Sequence, residues 1–320
     1  MWQPTASIEN LKCRSEIIAD IRQFFAKRSV MEVDTPCLSS YGVTDRYLSN
    51  FTTQFVGPGF ADGKTLYLQT SPEYAMKRLL AAGSGCIYQI FKAFRNEEAG
   101  RFHNPEFTML EWYRVGFNQL DLMDEVDDLV QAVTQCEQAE RLSYQQAFIK
   151  YVGIDPLNTN RTELEDAMKT VGLGDIVRGD VDDDTLMQCL FGEKVEKNIG
   201  LARPCFIYHF PASQACLAKL DPQSPQVACR FELYYKGLEL ANGFDELTDE
   251  AMQRERFVAD NQARIAQGVE QRELDEHFLA ALKAGLPDCA GVALGIDRLL
   301  MLALDCKDIR EVMAFNIENA

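Results

Sequence analysis

Residues 94–113 read FRNEEAGRFHNPEFTMLEWY, and this stretch decides the fold more than any other. Strand character runs from Cys86 to Glu97 and returns from Glu106 to Tyr113, with a polar loop between. Arg95 and Glu97 lie two positions apart, so the pattern predicts that they share one strand face. An arginine placed there can bind a phosphate or a carboxylate through two hydrogen bonds, although a structural cross-strand ion pair is the better explanation of an isolated Arg-x-Glu pair.

The flanking segments predict an α+β protein. Residues 7–28 carry apolar side chains at helical spacing, and Ser71-Pro72 predicts an N-cap followed by proline at the first helical position. Residues 227–235 and 238–243 predict a hairpin that turns at Lys236-Gly237. Because crossover helices do not separate the strands regularly, we expect a mainly antiparallel sheet flanked by helices. One domain should span residues 1–320, with a helical insertion at about 141–201.

Composition narrows the class of protein. The 320 residues carry 32 basic and 49 acidic side chains, a net charge of −17, which disfavours extensive nucleic-acid binding. Ten cysteines include no Cys-x-x-Cys pair and only three histidines are present, so no zinc-ligand spacing is found. With no apolar leader and no stretch long enough to cross a membrane, the sequence predicts a cytoplasmic enzyme.

Four further groups of residues could bind a ligand or take part in catalysis. Glu111 and Tyr113 share a strand face, and the two-residue turn pairs Tyr234 with Glu239, which puts Glu232 and Glu239 on a common face. Two carboxylates so placed favour Mg²⁺ bridging nucleotide phosphates, unless they are simply solvated.

Residues 240–246 combine an amide, a glycine, an aromatic ring and an acid. This combination could bind an ammonium group, or it could simply form a turn. Residues 291–300 predict a small-residue strand entering an apolar helix, where Arg298 could meet an anion. The same segment could be mere strand–helix packing with Asp297 as a capping residue.

Taken in order, these segments resemble the three motifs of class II aminoacyl-tRNA synthetases. The opening helix with residues 30–36 is similar to motif 1, residues 94–107 to motif 2 and residues 291–298 to motif 3. His103-Asn104-Pro105-Glu106-Phe107 and Asn242-Gly243-Phe244 resemble the lysyl-tRNA synthetase subgroup. The resemblance implies the class II catalytic fold, ATP and Mg²⁺ as its cofactors, and a homodimer with Pro36 near the interface.

The resemblance also implies residue roles. Arg95 and Arg298 would be catalytic and would hold phosphates, with Glu232 and Glu239 as Mg²⁺ ligands. The ATP site would further include Asn96, Glu97, His103, Asn104, Phe107, Glu239, Leu240 and Gly295. The amino-acid site would comprise Ser71, Pro72, Glu73, Glu111, Tyr113, Asn242, Phe244, Glu246 and Ala293.

Two departures from the synthetases direct the functional expectation. The motif 1 helix begins within about ten residues of the start, which leaves no room for the OB-fold that reads the anticodon. Ala293 stands where we expect a glycine, adding a methyl beside the substrate. In both features the sequence resembles stand-alone paralogues of the lysyl-tRNA synthetases. These paralogues activate (R)-β-lysine and attach it to a lysine ε-amine of elongation factor P.

Three alternatives stay open at this point. A minimal lysyl-tRNA synthetase acting on tRNA is disfavoured by the expected lack of the OB-fold and by the net charge. An asparagine synthetase-like ligase shares the fold, but Glu111 and Glu246 suit a cationic substrate. The third alternative is a non-enzymatic paralogue, and the presence of Arg95 and Arg298 argues against it.

Overall fold

A computed structural model describes residues 2–178 and 181–320. In chain order its strands are β1 Met31–Glu32, β2 Leu38–Ser39, β3 Thr52–Gly57, β4 Phe60–Leu68, β5 Ile87–Phe94, β6 Glu106–Val115, β7 Glu140–Ser143, β8 Cys205–Pro211, β9 Val227–Tyr235, β10 Leu238–Asp245 and β11 Cys289–Gly295. Its α-helices are α1 Ile8–Lys27, α2 Glu73–Ala81, α3 Gln119–Thr134, α4 Tyr144–Tyr151, α5 Arg161–Thr170, α6 Asp183–Leu190, α7 Glu250–Ala266, α8 Glu276–Gly285 and α9 Ile296–Ala303.

The elements fall into two units, and the first comprises Met1–Phe117 and Leu247–Ala320. Its larger group of strands has β1 parallel to β5, while β5 and β11 each run antiparallel to β6. The strands β2, β4 and β3 form a small antiparallel sheet. Because paired strands place opposite residues on one face, Tyr88 and Trp112 lie together on one side of β5 and β6, and Glu111 faces the other side.

Helix α1 covers the face that Tyr88 and Trp112 share. Ser7 caps the helix by accepting the backbone N–H of Asn10 at 3.0 Å, as the sequence predicts. Phe25 stacks on Tyr88 with ring centroids 4.4 Å apart and meets Trp112 edge-on at 5.3 Å. The apolar stripe of α1 therefore fixes which face of β6 is buried under a helix, and leaves the Glu111 face for chemistry.

The second unit is Asn118–Glu246. Strand β7 is parallel to β8, and β9 pairs antiparallel with β8 and with β10. Between β7 and β8 come α4, α5 and α6, in the part of the sequence where a helical insertion is expected; residues 179–180 of that insertion lie outside the described residues. Tyr144 of α4 stacks on Phe148 of the same helix at 5.5 Å and on Phe191 at 5.0 Å, so aromatic packing joins α4 to the turn that follows α6.

The hairpin turn between β9 and β10 confirms its sequence prediction. Lys236 and Gly237 both have positive φ, 50° and 77°, which is the geometry of a type I′ turn. That turn sets Tyr234 opposite Glu239, and a bulge between Glu239 and Ala241 then brings Asn242 opposite Glu232. The mainly antiparallel α+β prediction is confirmed, and the pairs β1–β5 and β7–β8 are parallel. In the described ranges no helix combines the length and the hydropathy needed to cross a membrane.

Candidate active site

One face of the first unit gathers several of the predicted residues. Phe107, Glu111 and Tyr113 alternate along β6 and so point to the same side. The register sets Ala293 of β11 directly opposite Glu111, and Gly295 opposite Met109. Ala293 and Phe107 also pack against one apolar cluster. A ring, a carboxyl group, a phenol and a methyl group thus line a single surface.

Glu111 is the most unusual group on that surface. The side chain is 2 % exposed. Its Oε2 accepts the Ser71 hydroxyl at 2.8 Å and its Oε1 accepts the Tyr113 hydroxyl at 2.6 Å. Burial, together with the negative charge of Glu73, raises the pKa of Glu111 from 4.5 to about 7. A carboxyl group with a pKa near neutrality becomes ionised when a cation binds beside it.

The start of α2 corrects one local prediction. The helix begins at Glu73 with Pro72 as its N-cap, and Ser71 lies one residue earlier. Ser71 Oγ still accepts the Glu73 backbone N–H at 3.0 Å, but it donates its own proton to Glu111. The fully buried Lys77 binds Glu73 Oε1 at 2.6 Å, one helical turn away. The hydroxyl therefore joins the beginning of α2 to the sheet face.

Arg95 lies where the β5 strand stops. The strand ends at Phe94, so the prediction that Arg95 and Glu97 share a strand face is wrong: Glu97 has a φ of 71° and is exposed. Arg95 instead lies over the Phe107 ring, 5.2 Å from its centroid, and its Nη1 is 3.6 Å from Glu98 Oε1. A guanidinium above an aromatic ring is a suitable platform for a flat, negatively charged ligand.

Arg298 contacts the loop between β5 and β6. Its Nε donates to the backbone oxygen of Phe102 at 3.3 Å, and its Nη2 lies 2.6 Å from His103 Nε2. Burial and the charge of Arg298 lower the pKa of His103. Because a guanidinium has only donors, the Nε2 atom of a neutral imidazole accepts this bond. The loop is therefore tied to the first turn of α9.

The side-chain amides of two predicted ATP-site residues form hydrogen bonds to backbone groups of the protein. Asn104 is buried; its Oδ1 accepts the Ile317 backbone N–H at 3.0 Å and its Nδ2 donates to the Glu106 backbone oxygen at 2.6 Å. Asn96 Oδ1 accepts the Glu97 backbone N–H at 3.0 Å. These three bonds stabilise the loop, and the ATP-site role of Asn96 and Asn104 stays a prediction.

Asp297 has a role that the sequence did not reveal. It does not cap α9, whose N-cap is Gly295 without a side-chain bond. Its Oδ1 accepts Arg14 Nη1 and its Oδ2 accepts the Thr108 backbone N–H, each at 2.6 Å. Arg14 also donates to Thr108 Oγ1 at 2.7 Å. This buried ion pair joins α1, β6 and α9 immediately beside Arg298, and only the assembled unit could reveal it.

The second unit presents its own polar face on β9 and β10. Glu232 lies opposite Asn242, and Tyr234 lies opposite Glu239. The common face predicted for the two glutamates is therefore confirmed by the register. Glu232 is buried and Glu239 exposed. Leu240 is buried beside the bulge.

The carboxylate of Glu232 is held at both oxygens. Arg230 Nη2 donates to Oε1 and the Tyr234 hydroxyl donates to Oε2. Each carboxylate oxygen has a second lone-pair direction, so these bonds leave acceptor capacity. Two carboxylates on one face suit Mg²⁺, which commonly takes one or two carboxylates from the protein and fills its other positions with water and substrate phosphates. In residue type and placement, Glu232 and Glu239 fit that ion.

Arg230 was not among the predicted site residues. It lies opposite Phe244 in the register and contacts Asn242, Glu232, the Gln214 backbone oxygen and Cys216 Sγ. The signal that could have found it is its spacing, two residues before Glu232 on the same strand.

Phe244 and Glu246 end the β10 segment differently. Phe244 packs against a small alanine cluster, and Glu246 is 1 % exposed and forms a β-bridge with Ala218. The predicted site residues are divided between the two units. The first unit contains Ser71, Pro72, Glu73, Arg95, Asn96, Glu97, His103, Asn104, Phe107, Glu111, Tyr113, Ala293, Gly295 and Arg298. The second unit contains Glu232, Glu239, Leu240, Asn242, Phe244 and Glu246.

Comparison with known proteins identifies the family of the chain. The family described as tRNA synthetases class II (D, K and N) matches residues 3–319. An elongation factor P–(R)-β-lysine ligase of Vibrio parahaemolyticus is 61% identical over 314 residues, 98% of this chain and 97% of its own. Ligases so described from Pectobacterium atrosepticum and Vibrio cholerae are each 57% identical over 319 residues, 100% of this chain and 98% of theirs. The chain therefore belongs to the class II tRNA synthetase family and, within it, to the elongation factor P–(R)-β-lysine ligases.

Proposed function

We propose that the chain activates (R)-β-lysine with ATP and transfers the β-lysyl group to a lysine ε-amine of elongation factor P. The observation that carries the proposal is the buried Glu111 carboxyl group, whose two oxygens are held by hydroxyls and which lies opposite Ala293. A carboxylate in such a place is stabilised by a bound ammonium. The relatives over nearly the full chain are ligases of elongation factor P, which supports the acceptor.

In the first step, a carboxylate oxygen of β-lysine attacks the α-phosphorus of ATP. The new oxygen–phosphorus bond forms as the bond to the bridging oxygen breaks, and pyrophosphate leaves. Arg95 and Arg298 stabilise the negative charge on the phosphates and orient the two reactants. Phe107 and Arg298 stack on the two faces of the adenine base. The other ATP contacts are Asn96, Glu97, His103, Asn104, Glu239, Leu240 and Gly295.

Mg²⁺ would be held by Glu232 and Glu239 and would neutralise charge on the ATP phosphates. Glu232 is kept in place for this by Arg230 and Tyr234.

The amino acid has two ammonium groups, and we assign them to different carboxylates. Glu73, ion-paired with Lys77, faces the amine nearer the reacting carboxylate. Glu111, Tyr113, Asn242 and Glu246 bind the distal ammonium, whose buried charge requires such partners. Ser71, Pro72, Phe244 and Ala293 complete the pocket.

In the second step, the acceptor ε-amine attacks the carbonyl carbon of the adenylate, an amide bond forms and AMP leaves. The amine loses a proton as the bond forms. We place this reaction in the cytoplasm and expect the chain to act as a homodimer with Pro36 near the interface. Light scattering at micromolar concentration would contradict the dimer if it gave the mass of one chain.

Pyrophosphate exchange and acceptor transfer test the proposal together. We expect exchange with (R)-β-lysine to exceed exchange with (S)-β-lysine and with α-lysine. Radiolabelled β-lysine should then appear on elongation factor P and not on bulk tRNA. Faster charging of tRNA with α-lysine would favour a minimal synthetase. Exchange driven by aspartate would favour an asparagine synthetase, and no exchange with any lysine compound would favour a non-enzymatic paralogue.

Ala293 offers a sharper test of amino-acid choice. The Ala293→Gly variant removes one methyl opposite Glu111, and we expect the preference for β-lysine over α-lysine to fall by about 10-fold, as for one buried methyl group. Ala290→Gly on the same strand is the matched control, since it lies on the other face. An unchanged preference in the Ala293 variant would remove this residue from the specificity argument.

A further inference from the structure

Arg230 is bound by four acceptors and one aromatic ring within the second unit. Its Nε donates to Asn242 Oδ1 at 3.3 Å, its Nη1 to the Gln214 backbone oxygen at 2.8 Å and its Nη2 to Glu232 Oε1. Its guanidinium carbon lies 4.5 Å from the centroid of the Phe210 ring. The side chain is 13% exposed. Its Nη1 also lies 3.5 Å from Cys216 Sγ. A planar fork fixed by four acceptors and a ring has a single arrangement, which an ammonium on a flexible stem cannot reproduce.

This arrangement determines the orientation of the Asn242 amide. An N–H group of arginine can only donate, so the atom that faces it must be the oxygen and not the amide nitrogen. The oxygen keeps a second lone pair that can accept from an ammonium. Without the guanidinium, the amide could rotate and turn its own donors toward the ligand, which an ammonium cannot satisfy.

The same guanidinium also fixes a carboxylate. Glu232 lies directly opposite Asn242, and both side chains are bound to Arg230 from neighbouring strands. A buried carboxylate needs such a partner, and a shift of the guanidinium toward one of the two side chains must weaken its bond to the other. The ligand sites that these two residues serve are therefore linked through one cation.

We propose that Arg230 is a positioning residue that orients the Asn242 amide and the Glu232 carboxylate together, and so couples binding of the distal ammonium of the amino acid to binding of Mg²⁺–ATP. This inference rests on the proposed function, which assigns Asn242 to the amino acid and Glu232 to the metal. It adds to that function a residue and a route of coupling.

Isothermal titration calorimetry tests the coupling without turnover. The affinity for β-lysine is measured with and without Mg²⁺ and a non-hydrolysable ATP analogue, for the wild type and for Arg230→Lys. In the wild type we expect the analogue to tighten amino-acid binding about 10-fold, a common size for coupling between two ligands. In Arg230→Lys we expect amino-acid affinity to fall about 10-fold, as for a lost hydrogen bond to a charged group, and the coupling to disappear.

Arg141→Lys is the matched control. Arg141 is also a strand arginine of the second unit, lies over the Phe206 ring at 5.8 Å and pairs with Asp124. It contacts neither Asn242 nor Glu232, so both affinity and coupling should stay at the wild-type values. Wild-type coupling in Arg230→Lys, or no coupling in the wild type, would overturn the inference.

A second measurement leaves Arg230 in place, in case its variant does not fold. A double-mutant cycle combines Asn242→Ala and Glu232→Gln and reads amino-acid affinity in the presence of Mg²⁺ and the ATP analogue. Non-additivity of about 3-fold or more supports a shared partner, and additive losses overturn it. If the wild type binds no lysine compound, the proposed function fails and this inference fails with it. If the wild type binds and the cycle is additive, only this inference fails.

Discussion

Glu111 and Glu232 have the same local sequence pattern and the same kind of tyrosine hydrogen bond on strands of two different units. Each is a buried glutamate on a β-strand, followed two residues later by a tyrosine that donates to it, Tyr113 and Tyr234. The second partner differs: Ser71 donates a hydroxyl to Glu111, whereas Arg230 donates a guanidinium to Glu232. The protein compensates the charge of Glu232 itself, while it leaves Glu111 with a pKa raised to about 7. Identical strand patterns thus give one carboxyl group that is paired with a guanidinium and one whose charge depends on a ligand.

The largest expected effect is on amino-acid activation. Glu111→Gln keeps the shape of the side chain but removes the charge that the distal ammonium requires. We expect kcat/KM for β-lysine in pyrophosphate exchange to fall about 100- to 1000-fold, the cost of removing one partner of a buried charge pair. Glu106→Gln, at an exposed position of the same strand, should be unaffected. A loss below about 10-fold would mean that Glu111 does not bind the ammonium.

Removing the charge of Glu232 should destabilise the protein. Glu232→Gln leaves Arg230 as a buried cation without its carboxylate, and we expect the free energy of unfolding to fall by about 3 kcal/mol. Urea unfolding at pH 8 measures this change. Glu193, the partly exposed ion-pair partner of Lys197, provides the control, and Glu193→Gln should change stability by less than about 0.5 kcal/mol. Equal stability of Glu232→Gln would remove the contrast between the two glutamates.

The corresponding change at Glu111 should have the opposite sign. The folded protein holds a proton on Glu111 up to about pH 7, against 4.5 for the ordinary carboxyl group, so the free energy of unfolding falls as pH rises through that window. Glu111→Gln has no charge to bury, and we expect it to be more stable than the wild type by about 2 kcal/mol at pH 8. Near pH 4, where both side chains are neutral, the difference should vanish. Urea unfolding that shows a loss at pH 8 would contradict the raised pKa.

The smallest effect is a pH dependence of amino-acid affinity. Below about pH 7 an increasing fraction of Glu111 is protonated and cannot pair with an ammonium, so the apparent Kd for β-lysine should rise. The expected slope is about 10-fold per pH unit below 7, with little change above it. Calorimetry from pH 5.5 to 8.5 provides the measurement, with Glu111→Gln as the variant that should lack the slope. A slope that persists in that variant belongs to another group.

Much of the fold was predictable because local pattern and register are sequence properties. The amphipathic spacing of residues 7–28 gave α1 with its Ser7 cap, and Lys236-Gly237 gave the turn that pairs Tyr234 with Glu239. Errors occurred where the backbone leaves regular structure. Glu97 adopts a positive φ after β5 has ended, and Ser71 lies one residue too early to cap α2. Neither deviation has a strong sequence signal: Ser71 donates to Glu111 in another segment, and Glu97 lies in the loop that follows the end of β5.

The sequence by itself determined the order of the motifs and the residue types of the adenylating chemistry, because alternation along a strand and spacing along a helix decide which side chains share a face. Only the tertiary structure decided what each charged group meets. Asp297 binds Arg14 across the chain, Glu111 meets hydroxyls, and Glu232 meets Arg230. The physical reason is that the pKa and the orientation of a buried group depend on its neighbours in space, and long-range neighbours are set by packing.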